Sequence, residues 1–255
     1  MQLFYAAFCN FITEQTQHLI AYLNILCKNS ICLFGKGDNE MQQNNTEITL
    51  SWRFNPEERQ TVVDMYWLAF QEKLKIPLGP TQKAITVLTA VCDPNFALVA
   101  RDTAGNILGV AGIKTVKGGL IGGSFAQLRD VYGTWGATWR AAMLSVLERP
   151  VKPDVLLMDG IFVGAAARGK GVGTKLLNTL IEHAESHNFA AIRLDVIDKN
   201  HGAQRLYERI GFVEVANSDI GPLRHLFGFQ KSATLNYSLK KLPQRGELTK
   251  PYNFE

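Results

Sequence analysis

One stretch, Arg168 to Phe212, constrains this chain more than any other. It reads as a glycine-rich loop, an amphipathic helix, an apolar strand and a short capped helix, in that order. Just upstream, Val155-Leu156-Leu157-Met158 and Ile161-Phe162-Val163 form an apolar run broken only by Asp159-Gly160, the pattern of a strand covered on both faces. A small-residue loop, Gly164-Ala165-Ala166-Ala167, leads into Arg168-Gly169-Lys170-Gly171-Val172-Gly173-Thr174. Leu176, Leu177, Leu180, Ile181 and Ala184 recur at helical spacing, which predicts a helix from Thr174 to about His187. A helix N-terminus offers unpaired N–H groups and a partial positive charge. Glycines at 169, 171 and 173 let that backbone approach an anion closely, and Arg168 and Lys170 add charge. The unit reads as a cradle for a pyrophosphate. The plainer alternative is a glycine-rich turn that binds nothing.

Two nucleotide-binding patterns compete for these residues. Gly164 to Gly171 meets the P-loop pattern G-x-x-x-x-G-K-[ST] except at the last position, where Gly171 replaces the hydroxyl that would hold Mg²⁺. The glycines run G-x-G-x-G, which departs from the dinucleotide pattern G-x-G-x-x-G. The second half of the stretch adds a different signal. Ala190 to Ile197 reads as a strand, and Asn200 stands at a helix start three residues later. Ala203, Leu206, Tyr207 and Ile210 share one side of that helix, and Gly211 is placed to cap its end. Taken alone, Asn200 is an N-cap and Tyr207 a core aromatic.

Taken together, these residues resemble the GCN5-related N-acetyltransferase (GNAT) family. Arg168, Gly171 and Gly173 meet its motif [Q/R]-x-x-G-x-[G/A]. Asn200, Ala203, Leu206, Tyr207, Glu208, Gly211 and Phe212 meet N-x-x-A-x-x-[L/F]-Y-E-x-x-G-F. The similarity is clearest from about Val155 to Val215 and extends more loosely over Ile48 to Leu239. The resemblance implies a mixed, mostly antiparallel α/β sheet flanked by helices, with a splayed strand pair that holds acyl-coenzyme A. It implies transfer of an acetyl group from acetyl-CoA to an amine. Backbone N–H groups from Arg168 through Gly169, Lys170, Gly171, Val172 and Gly173 to Thr174 would hold the pyrophosphate. Ile161, Phe162 and Val163 would pair with the pantetheine arm. Asn200 would bond that arm or help set the splay, and Tyr207 would protonate the leaving thiolate. An acyl-CoA sensor without turnover and a P-loop hydrolase are the alternative readings.

An alkyl ammonium cannot attack a thioester, so a base must first take a proton. Asp159 is the candidate: it interrupts an apolar strand four residues before Val163, and an unpaired carboxylate there is costly. A salt bridge is the structural alternative, and Asp195 is the analogous candidate on the next strand. Cys92 reads as a buried structural cysteine, and Glu182, His183 and His187 as a solvated helix face rather than a metal site.

The remaining chain suits one α/β domain over residues 41–240, with a polar tail at 241–255. An apolar fraction of 46% is ample for a single core. Ile48 to Phe54 predicts a first strand, and Asn55-Pro56-Glu57-Glu58 a capped helix start. Thr81 to about Val91 predicts a second helix, and Phe96–Arg101 with Ile107–Thr115 a hairpin. Lys114 to Gly123 reads as a mobile glycine-rich segment, and Tyr132 to Leu147 as an inserted helix. Residues 1–40 hold Cys9, Cys27 and Cys32 and make a poor signal peptide; Asn24, Lys28 and Asn29 interrupt their best apolar stretch. Lys36-Gly37-Asp38 can be encoded with a bacterial ribosome-binding sequence, so translation is expected to begin at Met41. A partner-binding or membrane-associating arm is the alternative. The net charge of +4 is too modest to indicate nucleic acid. The expected partners are a small-molecule or protein amine, with neither nucleic acid nor membrane. The expected setting is the cytoplasm, no metal is expected, and the resemblance leaves room for a homodimer.

Overall fold

The computed structural model describes residues 47–239. The proposed start at Met41, the extension over 1–40 with its three cysteines, and the tail over 241–255 lie outside the described residues. Strand β1 (Thr49–Trp52) leads through a turn into helix α1 (Arg59–Leu78) and helix α2 (Thr81–Val91). Strands β2 (Ala97–Arg101), β3 (Ile107–Thr115) and β4 (Gly118–Gly119) precede helix α3 (Phe125–Leu147). Then come β5 (Val155–Val163), α4 (Val172–Ser186), β6 (Ala191–Ile197), α5 (His201–Ile210), β7 (Val213–Asp219), the short α6 (Arg224–Phe227) and β8 (Lys231–Ser238).

The strands form one sheet in the order β1-β2-β3-β5-β6-β8-β7, with β4 paired to β3 off that path. Every neighbouring pair is antiparallel except β5–β6. Two-residue periodicity sends alternate side chains to opposite faces. On β2, Leu98 and Ala100 join the layer around Leu176, Leu177 and Leu180 of α4. Ala97 and Val99 join the opposite layer, with Val62, Val63 and Trp67 of α1 and Leu88 of α2. The sheet is thus covered on both faces, as the unbroken burial of Leu156, Leu157 and Met158 requires.

The capped start of α1 forms as the sequence predicts. The Asn55 N–H donates to the Glu58 carboxylate at 2.7 Å, and Glu58 also pairs with Arg101 at 2.7 Å. Helix α2 has the predicted bounds. In the β2–β3 turn, the Asp102 carboxylate accepts from the Ala104 and Asn106 N–H groups at 3.0 and 2.8 Å. Strand β1 is shorter than expected: Arg53 adopts φ 72°, and its N–H, donating to the Ala97 carbonyl at 2.8 Å, makes the last bond to β2. Helix α3 starts earlier, at Phe125, and kinks where Gly133 takes φ 70°. The segment read as mobile is instead ordered by pairing: β4 pairs with β3, Leu120 is fully buried, and Ile121 bridges to Cys92. Its glycines serve close packing, since a Cβ on Gly118 would stand 2.8 Å from the Phe96 ring.

Candidate functional site

Strands β5 and β6 pair only at Val155↔Ala191, Leu156↔Ile192 and Leu157↔Arg193. Beyond that point β5 follows β3 to the pair Gly109↔Val163, while β6 follows β8 to Ile197↔Ser232. A bulge marks the parting: Met158 faces Ile113 and Gly160 faces Gly112, so Asp159 is the extra residue. Bulges bend a strand and end regular pairing. The result is a wedge along whose β5 edge the backbone from Met158 to Val163 has no β6 partner.

A cleft of about 760 Å³ occupies this region. It is lined by Ile161, Phe162, Val163, Arg168, Gly169, Gly171, Val172, Gly173, Thr174 and Asn200, all expected from the sequence. Lys170 is exposed and does not line it. The first backbone bond of α4 runs from the Lys175 N–H to the Gly171 carbonyl at 3.0 Å. The N–H groups of Val172, Gly173 and Thr174 therefore precede the intrahelical ladder. Gly169 and Gly171 sit at φ 76° and 79°, and a Cβ on either would meet nothing within 4 Å. Left-handed backbone, rather than crowding, demands glycine there. Gly173 serves a different end: its Cβ would stand 3.0 Å from Leu206, so it lets α5 pack closely on α4.

Asn200 combines two tasks. Its side-chain oxygen accepts the Ala203 N–H at 3.2 Å and caps α5, while the residue also borders the cleft. Tyr207, on the same helix, does not line the cleft. It is 5% exposed, packs 5.8 Å from the Phe212 ring, and burial pushes its phenol well above the usual range. Sequence reasoning missed several lining residues. Met65 and Phe70 read only as apolar residues carried by the first helix, and Arg205 and Arg209 stand at variable positions of the second motif. The spacing of those two arginines, four apart on one helix, was the available signal.

Asp159 faces a second cavity, of about 320 Å³, bounded by α1, α2, α3 and β5. Its carboxylate accepts the Ile121 N–H at 3.4 Å. Burial raises its pKa above the ordinary carboxylate value, with the charge of Lys73 opposing. An aromatic cluster spans the two cavities. Phe70 and Phe162 line the cleft, Tyr66 lines the second cavity, and the Tyr66 ring lies 4.6 and 5.7 Å from theirs. Asp195 is engaged elsewhere: it accepts from Arg149 Nε at 2.8 Å and from the Thr234 hydroxyl at 2.5 Å. Cys92 is buried, and burial pushes its thiol up to about 11. The His183 and His187 rings stack at 4.0 Å.

A P-loop reading fails on this architecture. A sheet with one parallel neighbour pair is not the parallel sheet of such proteins, and Ala165–Ala167 closes into a 3₁₀ turn.

Comparison with known proteins places the chain in a family. Residues 59–212 match the Acetyltransferase (GNAT) family. An uncharacterised N-acetyltransferase of Methanocaldococcus jannaschii is 40% identical over 63 residues, 25% of this chain and 28% of that protein. The spermine/spermidine N(1)-acetyltransferase of Bacillus subtilis is 41% identical over 56 residues, 22% of this chain and 37% of that protein. The matches thus span well under half the length of these relatives. Among solved structures, an N-acetyltransferase from Staphylococcus aureus superposes with TM-score 0.55 at 18% identity, covering 74% of this chain and all of that one. The chain shares its fold with that structure, and by its match over residues 59–212 it belongs to the GNAT acetyltransferase family.

Proposed function

We propose that this protein moves an acetyl group from acetyl-CoA to a primary amine. The observation that carries the reading is the wedge between β5 and β6 ending at the free N–H groups of α4. An extended pantetheine arm can add to the open β5 edge as a strand would, at Ile161 to Val163. Its pyrophosphate then meets the N–H groups of Val172 to Thr174, where the helix dipole favours an anion. Arg168, Arg205 and Arg209 border the same cleft and supply cations for the phosphates.

The chemistry divides between the two cavities. A substrate ammonium gives its first proton to Asp159, whose raised pKa makes it a stronger base than an exposed aspartate. The nitrogen lone pair then forms the C–N bond to the acetyl carbon, the C–S bond breaks, and sulfur leaves with the electron pair. Tyr207, which lies behind the cleft wall, protonates that sulfur through one water and recovers a proton from the product nitrogen by the same route, so one proton reaches solvent per turnover. Burial keeps the phenol protonated at neutral pH, the state an acid must start from.

Acetyl-CoA as donor suits a cytoplasmic setting, and among the described residues no helix is long and apolar enough to cross a membrane. The direct test is release of free coenzyme A thiol from acetyl-CoA against a panel of amines, amino acids and peptides. Thiol release that depends on the amine supports the reading. Calorimetric binding of acetyl-CoA without turnover on any acceptor would make the protein a sensor instead.

A further inference from the structure

The second cavity has walls of a definite character. Leu74, Leu88, Leu128 and Leu144 line it, and so do two carboxylates, Asp159 and Glu148, and two ammoniums, Lys73 and Lys114. Lys114 and Glu148 neutralise each other in an ion pair of 2.9 Å. Asp159 and Lys73 remain. Among the described residues neither forms an ion pair within 4 Å, although Lys73 is the largest ionic influence on Asp159. The Lys73 ammonium lies 4.7 Å from the centroid of Phe70, the ring that borders the donor cleft. Both are half-buried, and opposite charges held more than 4 Å apart across one cavity can be bridged by a ligand that carries both signs.

We infer that the acceptor is an α-amino acid with an apolar side chain, its amino group at Asp159, its carboxylate at Lys73 and its side chain among the leucines. This rests on the acetyltransferase reading above. A cavity lined by equal numbers of carboxylates and ammoniums suits a ligand of zero net charge. A polyamine would bring several positive charges to a site where, with Glu148 taken by Lys114, Asp159 is the one carboxylate left to meet them and Lys73 repels them. The leucines favour an apolar side chain, which gains by burial against them. A volume of about 320 Å³ accommodates a single amino acid rather than a folded chain end.

The test compares matched acceptors with the full chain and acetyl-CoA. L-leucine and L-phenylalanine are set against their amides and against isopentylamine and phenethylamine, which lack the carboxylate. Spermidine and an alanine-starting peptide complete the set. The free amino acids should exceed the matched amines in kcat/KM by about tenfold or more, the worth of one charge-assisted contact. Lys73→Met should collapse that ratio towards one, and Lys73→Arg should keep most of it. Equal or faster turnover of the amides or amines overturns the inference, as does a ratio that Lys73→Met leaves intact. Thiol release with spermidine or the peptide but with no amino acid overturns it while leaving the acetyltransferase reading in place. Absence of acetyl-CoA binding by calorimetry removes both.

Discussion

Gly160 lies against Phe70: a Cβ on Gly160 would stand 2.5 Å from the ring's Cζ and 3.0 Å from its Cε2. The ring cannot yield freely, because Tyr66 and Phe162 flank it at 4.6 and 6.1 Å. Gly160 is also the residue that resumes pairing with Gly112 after the Asp159 bulge. The contact therefore ties α1 to the strand that forms the wedge. Gly160→Ala should destabilise the fold by about 1–3 kcal/mol through overpacking. Thermal melting would read this as a drop of roughly 2–4 °C per kcal/mol. Turnover should fall as well, because Phe70 stands between the two cavities. Adding Phe70→Leu to Gly160→Ala should recover part of the melting loss; no recovery would locate the strain in β5 itself.

Gly171 tests the anion cradle. Its φ of 79° costs about 1–2 kcal/mol for an alanine and less for an aspartate, which tolerates left-handed backbone better. No atom stands within 4 Å of that Cβ, so the cost is conformational rather than steric. Gly171→Ala should weaken acetyl-CoA modestly, by disturbing the start of α4. Gly171→Asp adds a negative charge beside the N–H groups of Val172 to Thr174. Calorimetry should show at least about tenfold weaker acetyl-CoA binding for the aspartate than for the alanine. Equal effects of the two would mean that the phosphates bind elsewhere.

Asp159 carries a stability signature as well as a catalytic one. Its folded pKa lies above the ordinary aspartate value because burial disfavours the anion. Between the unfolded pKa, about 3.9, and the higher folded value, the native state binds more protons than the unfolded chain. Stability from this group is therefore fully present below about pH 3.9 and lost as pH rises through the folded pKa. Asp159→Asn removes that dependence. The variant should melt higher than wild type at pH 7, and the gap should close as pH falls towards 4. Its kcat should drop by roughly 10²–10⁴-fold above the folded pKa, where the carboxylate is ionised and most amine is still protonated, and the loss should narrow as pH falls through that pKa. A melting gap that ignores pH would show that Asp159 titrates alike in the native and unfolded chain, without the upward shift that burial imposes.

Much of this fold was legible because local chemistry and tertiary packing agree. The apolar spacing of α4, the Asn200 cap, the Gly211 end with φ 111° and the Asp102 turn each obey a short-range rule. The cleft followed from the same residues, since the glycine loop and the wedge strand are adjacent in sequence. What stayed hidden depends on distant contacts. The Lys114 to Gly123 segment looked mobile by composition, yet Leu120 fills the space above Gly112 and orders it. Lys73 and Phe70 sat unmarked on a helix with little amphipathic contrast, and they matter only because α1 crosses the bulge. Asp195 and Asp159 looked alike as strand carboxylates. Arg149, 46 positions from Asp195, is what separates an ion-paired aspartate from one left facing a cavity.

Tyr207 poses the sharpest test of the proposed chemistry, because packing and catalysis predict different numbers. The ring is buried among Phe212 and the core of α4 and α5, which by itself accounts for an aromatic residue at this position. Among the described residues its hydroxyl makes no hydrogen bond to the protein. Tyr207→Phe keeps the ring and its apolar contacts, so stability should change by no more than about 0.5 kcal/mol. Acetyl-CoA affinity should be nearly unchanged, since the residue does not border the cleft. If the phenol protonates the departing sulfur, kcat alone should fall, by roughly 10²–10⁴-fold. Thioesters whose leaving thiols are more acidic should narrow the gap between variant and wild type, because a better leaving group needs less help. A kcat within about twofold of wild type, with melting unchanged, would assign Tyr207 to packing and leave the sulfur to be protonated by water.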